Sequence, residues 1–130
     1  MTPFKINRKY RPRILAILNK VAELLRSHKF QVVGPTDMAD DTYAYSLFVK
    51  SRKIDIRFTI CESEHWDGEK GGVSFQLDIT EFGGRVLGGF CPLNYTDKVW
   101  VSRKDKDAVE ERFKLMERMD ITEIVNCCTS

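Results

Sequence analysis

Residues 61–72 hold the densest group of side chains in this sequence that could do chemistry together. The stretch reads Cys-Glu-Ser-Glu-His-Trp-Asp-Gly-Glu-Lys-Gly-Gly, so it contains a thiol, four carboxylates, an imidazole and an indole. Carboxylates and histidine are ligands for divalent metals, and a histidine beside acids can serve as a general base. A metal site or an acid–base site is therefore one hypothesis for this stretch.

The same stretch also has the composition of a loop between two strands. Asp67-Gly68 and Gly71-Gly72 are typical of turns, and a polar loop usually directs its side chains into water rather than toward one centre. We therefore expect no metal, no cofactor and no catalytic set. The loop is then either inert and solvated, or it binds a partner through the indole of Trp66. In the second case the predicted contacts are Trp66, Glu64, His65 and Asp67, together with Trp100.

Charge is distributed unevenly along the chain. The first 29 residues carry eight Lys or Arg and one acid, whereas residues 105–130 carry four Lys or Arg and seven acids. A basic arm over residues 1–11, in which Tyr10 stands among cations, is typical of segments that bind nucleic acid through phosphates. The predicted contacts for this alternative are Lys5, Arg8, Lys9, Arg11, Arg13, Lys20 and Arg26.

Two other interpretations of the basic segment stay open. It can be a solvated arm, or it can dock on the acidic C-terminal part of the same chain. The sequence pI of about 8.3 is below the value above 9 that is typical of a dedicated nucleic-acid binder.

Apolar periodicity predicts two main helices. The first covers residues 12–29, opens with Pro12 and carries an apolar arc that includes His28. The second begins at a cap on Ser102 or Asp105 and ends near Met119. The spacing in Asp120–Glu123 is that of a capping box, which predicts a short last helix, so residues 102–128 form the C-terminal helices.

Residues 30–101 predict a sheet. Period-two alternation over 42–50, 53–61 and 72–80, with a further strand over 85–90, is typical of an antiparallel meander with one packed face and one wet face. The run 30–33 ends at Gly34-Pro35, and 95–101 is a candidate sixth strand. The wet face could bind a ligand, or its charges could simply pair with one another; it carries Asp55, Arg57, Gln76 and Asp78.

The element order predicts one α+β domain over residues 1–130. An N-terminal amphipathic helix and the C-terminal helices pack on one face of a meander of about five strands. We expect the core residues to be buried in a single cluster that includes Ile14, Leu18, Val21, Leu25, Ile56, Phe58, Phe75, Leu77, Val109 and Phe113.

The composition is that of a globular protein, with 42% hydrophobic and 31% charged residues in 130 positions. Apolar runs are too short to cross a bilayer, and the four cysteines lack the spacing of a zinc site, so we expect a cytoplasmic protein with reduced thiols and no membrane partner. The predicted function is a non-enzymatic binding module, an adaptor, chaperone or inhibitor with a protein partner. The alternatives are nucleic-acid binding through the arm and first helix, and a small hydrolase that uses His65 and the neighbouring carboxylates.

Overall fold

The computed structural model describes residues 3–37, 44–66, 69–82, 84–90 and 101–129, with side chains for 8–36, 44–61, 71–82, 84–88 and 101–129. In chain order the elements are α1 (Pro3–Ser27), β1 (Val32–Asp37), β2 (Ala44–Val49), β3 (Ile54–Trp66), β4 (Glu69–Glu81), β5 (Val86–Phe90), β6 (Val101–Ser102), α2 (Lys106–Glu117) and α3 (Thr122–Thr129). The described strands form one antiparallel sheet in the order β1-β2-β3-β4-β5, and β6 also pairs with β4. The predicted α+β class is confirmed.

The three helices cover one face of the sheet. Apolar residues of α1, such as Ile14 and Leu18, pack with alternating residues of β3 and β4 and with Phe113 of α2 in one buried cluster. Each of the ten residues expected in the core is buried there, so this prediction is confirmed. The alternation that predicted the strands also selected the correct packed face.

The first helix begins at Pro3, nine residues before the predicted start at Pro12. The basic arm predicted over 1–11 is therefore helical from residue 3 onward. Proline is tolerated best in the first turn of a helix, and here a tertiary contact overrides that preference. Tyr10 is buried, with its ring centroid 5.3 Å from that of Phe75 and 4.5 Å from that of Phe113, which holds the turn before Pro12 against the core.

The first helix ends just before a residue with a left-handed backbone conformation. Ser27 is its last residue, and Lys29 has φ +72°. His28 was expected on the apolar arc, but it follows the end of the helix and is exposed. Of the two predicted cap residues of α2, Asp105 is the one that caps it, and it accepts from the N–H of Ala108 at 3.0 Å. The side chain of Asp120 accepts from the N–H of Thr122 at 3.0 Å, two residues on, which differs from the bond to residue 123 that a capping box predicts.

The hairpin of β3 and β4 is longer than predicted, with 13 residues in each strand. Its register is constant from Ile54 opposite Glu81 to Trp66 opposite Glu69. Most of the stretch 61–72, which was predicted to be a loop, is therefore strand. Its polar residues and glycines have low strand propensity, but continuous pairing with the facing strand outweighs local preference.

Two strands differ from their predicted bounds. β1 continues through Gly34-Pro35, where the register against β2 shifts between Val33 and Thr36. Proline cannot donate a ladder hydrogen bond, but an edge strand at an irregular register tolerates it. β6 consists of Val101–Ser102, opposite Val73 and Gly72, and the other residues of the predicted strand 95–101 lie outside the described residues.

Candidate functional site

The N-terminal cations and the C-terminal acids meet between α1 and α2. The hydroxyl of Tyr10 donates to Oε1 of Glu110 at 3.0 Å, and Nη1 of Arg13 donates to Oε2 of Glu110 at 2.6 Å. Nε of Arg13 donates to Glu117 at 3.0 Å, and its guanidinium lies 4.7 Å from the centroid of the Phe113 ring. Docking on the acidic C-terminal part of the chain is therefore what the structure shows for Tyr10 and Arg13. We call Tyr10, Arg13, Glu110 and Glu117 the α1–α2 clamp.

The clamp shifts the pKa of its members. Partial burial acts to raise the pKa of Glu110, but hydrogen bonds from Arg13 and Tyr10 outweigh burial and hold that pKa below its ordinary value. Burial, followed by the hydrogen bond to Glu110, raises the pKa of the Tyr10 hydroxyl above its ordinary value. The hydrogen bond to Glu117 raises the pKa of Arg13. At neutral pH the folded state therefore favours a protonated Tyr10 and a charged Arg13–Glu110 pair.

The free energy of unfolding is expected to fall at both ends of the pH range because of this clamp. Glu110 stabilises the fold above its unfolded pKa, and this contribution is lost as pH falls through the lowered folded pKa. Tyr10 stabilises the fold below its unfolded pKa of about 10, and this contribution is lost as pH rises above it. In a plot of the free energy of unfolding against pH, these losses form an acid limb and an alkaline limb. Urea titrations at a series of pH values should show that Glu110→Gln makes the acid limb less steep and that Tyr10→Phe makes the alkaline limb less steep.

A matched control for the acid limb is Glu111→Gln, which removes an exposed carboxylate from the same helix. It should leave the acid limb as in the unaltered chain. If Glu111→Gln and Glu110→Gln flatten the limb equally, the effect comes from net charge and not from the clamp.

The other cations of the nucleic-acid alternative lie along α1. Lys5 is in the helix, with its side chain outside those described, and five are exposed, namely Arg8, Lys9, Arg11, Lys20 and Arg26. Because a helix turns about 100° per residue, Arg8 and Arg26 lie on one side of α1, and Lys9 and Lys20 lie on another. The helix does not gather these charges into one stripe.

Three of the predicted partner contacts lie at the far end of the long hairpin. Glu64, His65 and Trp66 end β3, where Trp66 is opposite Glu69. Their side chains are outside those described, and Asp67 and Trp100 are outside the described residues. Partner contact through this set, like catalysis by His65, stays a prediction. Among the side chains that the structure does describe, no group of three His, Cys, Asp or Glu is placed to hold a metal ion.

The face of the sheet opposite the helices carries a groove of about 480 Å³. Alternate residues of β3 and β4, beginning at Asp55 and Gln76, lie on this side, and we call it the open face. At the centre of this face each hydrogen bond joins two residues of the same strand: Arg57 donates to Asp55 at 2.9 Å in β3, and Gln76 donates to Asp78 at 3.0 Å in β4. The cross-strand pairing predicted for this face is therefore not what the hydrogen bonds show: Arg57 bonds along β3 to Asp55, although Asp78 lies opposite Arg57 in the register. The groove is lined by Asp55, Arg57, Asp78, Thr80, Glu81, Phe82 and Val86.

The rim of the groove is apolar and exposed. Phe82 is 67% exposed and Val86 is 68% exposed, although both are large apolar side chains. The N–H of Phe82 donates to the carbonyl of Lys53 at 2.9 Å, and its ring centroid is 5.2 Å from that of Phe48. Gly84, with φ +99°, closes the turn that follows, a backbone conformation that glycine adopts readily. Phe82 is thus held at the rim by a backbone hydrogen bond and by contact with Phe48, while most of its surface is exposed to water.

Sequence reasoning missed Phe82 and Val86 as candidate contacts. The signal that could have found them is a large apolar residue directly before Gly83-Gly84, since turns of this kind usually carry polar residues. The polar members of the groove, Asp55, Arg57 and Asp78, were identified correctly as residues of the wet face.

Comparisons with protein-family models, with curated proteins and with solved structures found no significant match to this chain. Within the described residues, no helix is both long enough and apolar enough to cross a membrane.

Proposed function

We propose that this chain is a protein-binding domain that holds an apolar segment of another protein on the open face of its sheet. The observation that carries the proposal is the exposed pair Phe82 and Val86 at the rim of the groove. Large apolar side chains grouped at a concave surface are typical of binding sites, and aromatic residues often supply much of the binding energy. An antiparallel sheet with helices on one face also offers a rigid platform on the other.

The charges of the groove indicate what the partner segment carries. Three carboxylates, those of Asp55, Asp78 and Glu81, and one arginine, Arg57, line it. Arg57 is bonded to Asp55 and lies opposite Asp78 in the register, so one guanidinium serves two carboxylates. A lysine or arginine of the partner would face Asp78, and an apolar side chain next to it would cover Phe82. The proposed ligand is therefore a segment with an apolar residue beside a base.

Photo-crosslinking in the cells that express the chain is the first test. A photoreactive residue at position 82 should form an adduct with one partner protein, and the same residue at Ala16, which is exposed on α1, should not. Adducts of the same composition from both positions would show that contact at position 82 is nonspecific.

The second test measures affinity with the partner identified in this way. Phe82→Ser is expected to raise Kd about tenfold or more, which corresponds to 1–2 kcal/mol, the range of an interface anchor. Val33→Ser is the control, because Val33 is 54% exposed on β1 and outside the groove. Titration calorimetry measures Kd, and thermal melting should change little in either variant. An unchanged Kd for Phe82→Ser, or equal losses for both variants, would contradict the proposal.

A further inference from the structure

The fold gathers cations that the sequence separates. The segment between α1 and β1 lies beside the turn between β2 and β3, because the N–H of Lys50 donates to the carbonyl of Gln31 at 2.8 Å, and that of Gln31 donates to the hydroxyl of Ser51 at 3.3 Å. The guanidinium of Arg26 reaches the same corner and donates to the carbonyl of Val32 at 2.9 Å. We call this surface the basic end; its members are all exposed and are Arg26, Lys29, Lys50, Arg52 and Lys53.

The two segments that supply the basic end contain no acid beside its cations, except for Glu23 just before them. Residues 26–36 and 44–53 contain no Asp or Glu. Glu81 is opposite Ile54 in the register, and its carboxylate lies 3.5 Å from the guanidinium of Arg85. Glu23 is one turn before Arg26 in α1 and offsets one positive charge. The excess positive charge that the proposal uses is therefore that of Lys29, Lys50 and Lys53.

Two lysines of the basic end have left-handed backbone conformations. Lys29 has φ +72° at the end of α1, and Lys53 has φ +54° before β3. Glycine and asparagine adopt this region more readily than lysine, and glycine is the usual residue just after a helix. Lysine therefore occupies both positions against the backbone preference. What it adds over glycine is a positive charge on a long side chain, which points to a role for that charge.

We propose that the basic end binds the phosphate backbone of a nucleic acid. Clustered lysines and arginines bind phosphates by releasing condensed counterions, and contacts of this kind carry no base sequence information. The basic end adjoins the open face, because the carbonyl of Lys53 accepts from the N–H of Phe82 at 2.9 Å. It shares only Arg26 with the exposed cations of α1 named above. An acidic protein is the competing partner for the same charges.

The probe is a fluorescent oligonucleotide of about 20 nucleotides, single-stranded or duplex, followed by anisotropy between about 50 and 200 mM salt. Log affinity should fall linearly with log salt. If all five cations contact phosphates, the slope is about −3.5 on a single strand and about −4.5 on a duplex. Absence of binding at the lowest salt concentration would overturn the proposal, and so would tighter binding to poly-glutamate than to the oligonucleotide.

The variants that localise the site are Lys29→Gly and Lys53→Gly, which remove charge at positions where glycine suits the backbone. Each should reduce the magnitude of the slope by about 0.7 on a single strand and about 0.9 on a duplex. Thermal melting should not fall below that of the unaltered chain, which shows that the fold is retained. The control is Lys20→Gln, an equal loss of charge on the exposed side of α1. An unchanged slope for the chain that carries both Lys29→Gly and Lys53→Gly would show that the nucleic acid does not bind at the basic end. An equal reduction of the slope for Lys20→Gln would show the same.

Discussion

Phe75→Ala is expected to lower the free energy of unfolding by about 3–5 kcal/mol. Phe75 is fully buried among other rings, and its centroid lies 5.3 Å from that of Tyr10, 5.1 Å from that of Phe113 and 6.5 Å from that of Phe58. Truncation removes the transfer free energy of the ring and leaves a cavity, because side chains from α1, α2 and β3 surround the site and cannot all move inward. The measurement is a urea titration, in which the midpoint should fall while the slope stays the same.

Phe82→Ala is the matched control for this prediction. It makes the same chemical change one residue beyond β4, where the ring is 67% exposed and contacts Phe48. Little apolar surface is returned to water, so the loss should be about 1 kcal/mol or less. Similar losses for the two variants would mean that the packed and open faces of β4 have been assigned the wrong way round.

Tyr10→Ala is the second variant with a large expected effect, a loss of about 3–5 kcal/mol. The change removes a ring that packs between Phe75 and Phe113, and it removes the hydroxyl that donates to Glu110. Amide hydrogen exchange should also become faster in residues 3–11, because the helical turns before Pro12 lose the side chain that holds them on the core. Tyr10→Phe keeps the ring and should cost about 1–2 kcal/mol, the contribution of one hydrogen bond to a carboxylate.

Lys9→Ala is the control for Tyr10→Ala, since it changes the neighbouring exposed residue. Its effect on stability should be within about 0.5 kcal/mol. If Tyr10→Ala proves equally harmless, the segment before Pro12 is not part of the core and behaves as the arm that its composition predicted.

The core could be predicted because two independent periodicities define it. The spacing of Ile14, Leu18 and Leu25 marks one side of a helix, and the alternation of Phe75 and Leu77 marks one face of a strand. Each pattern is local, so neither requires knowledge of the partner element. The polar residues of the open face followed from the same alternation, which is why Asp55 and Asp78 could be placed before the structure was known.

The features that could not be predicted depend on residues far apart in the chain. Tyr10 stands among cations, and only its distant contacts, with Phe75 and with α2 100 positions later, identify it as a core residue. The polar stretch 61–72 has the composition of a loop, and pairing along the hairpin makes it strand. The basic end combines Lys29 with Lys50 and Lys53, which come together only when β2 pairs with β1 and returns the chain to the end of α1. Long-range pairing decides all three.

The α1–α2 clamp has a consequence for how the chain is made. Arg13 and Glu117 are 104 positions apart, so a ribosome that adds about 5–20 residues per second produces them about 5–20 s apart. During that interval the strands can pair in turn, because each strand from β1 to β5 is hydrogen-bonded to its neighbour in the chain. The first helix, by contrast, leaves the ribosome with its apolar side uncovered and gains its contacts with the C-terminal helices only when α2 and then α3 emerge. A nascent chain halted before α2 would therefore carry a paired sheet and a loosely held first helix, the kind of species that ribosome-associated chaperones must shield from aggregation.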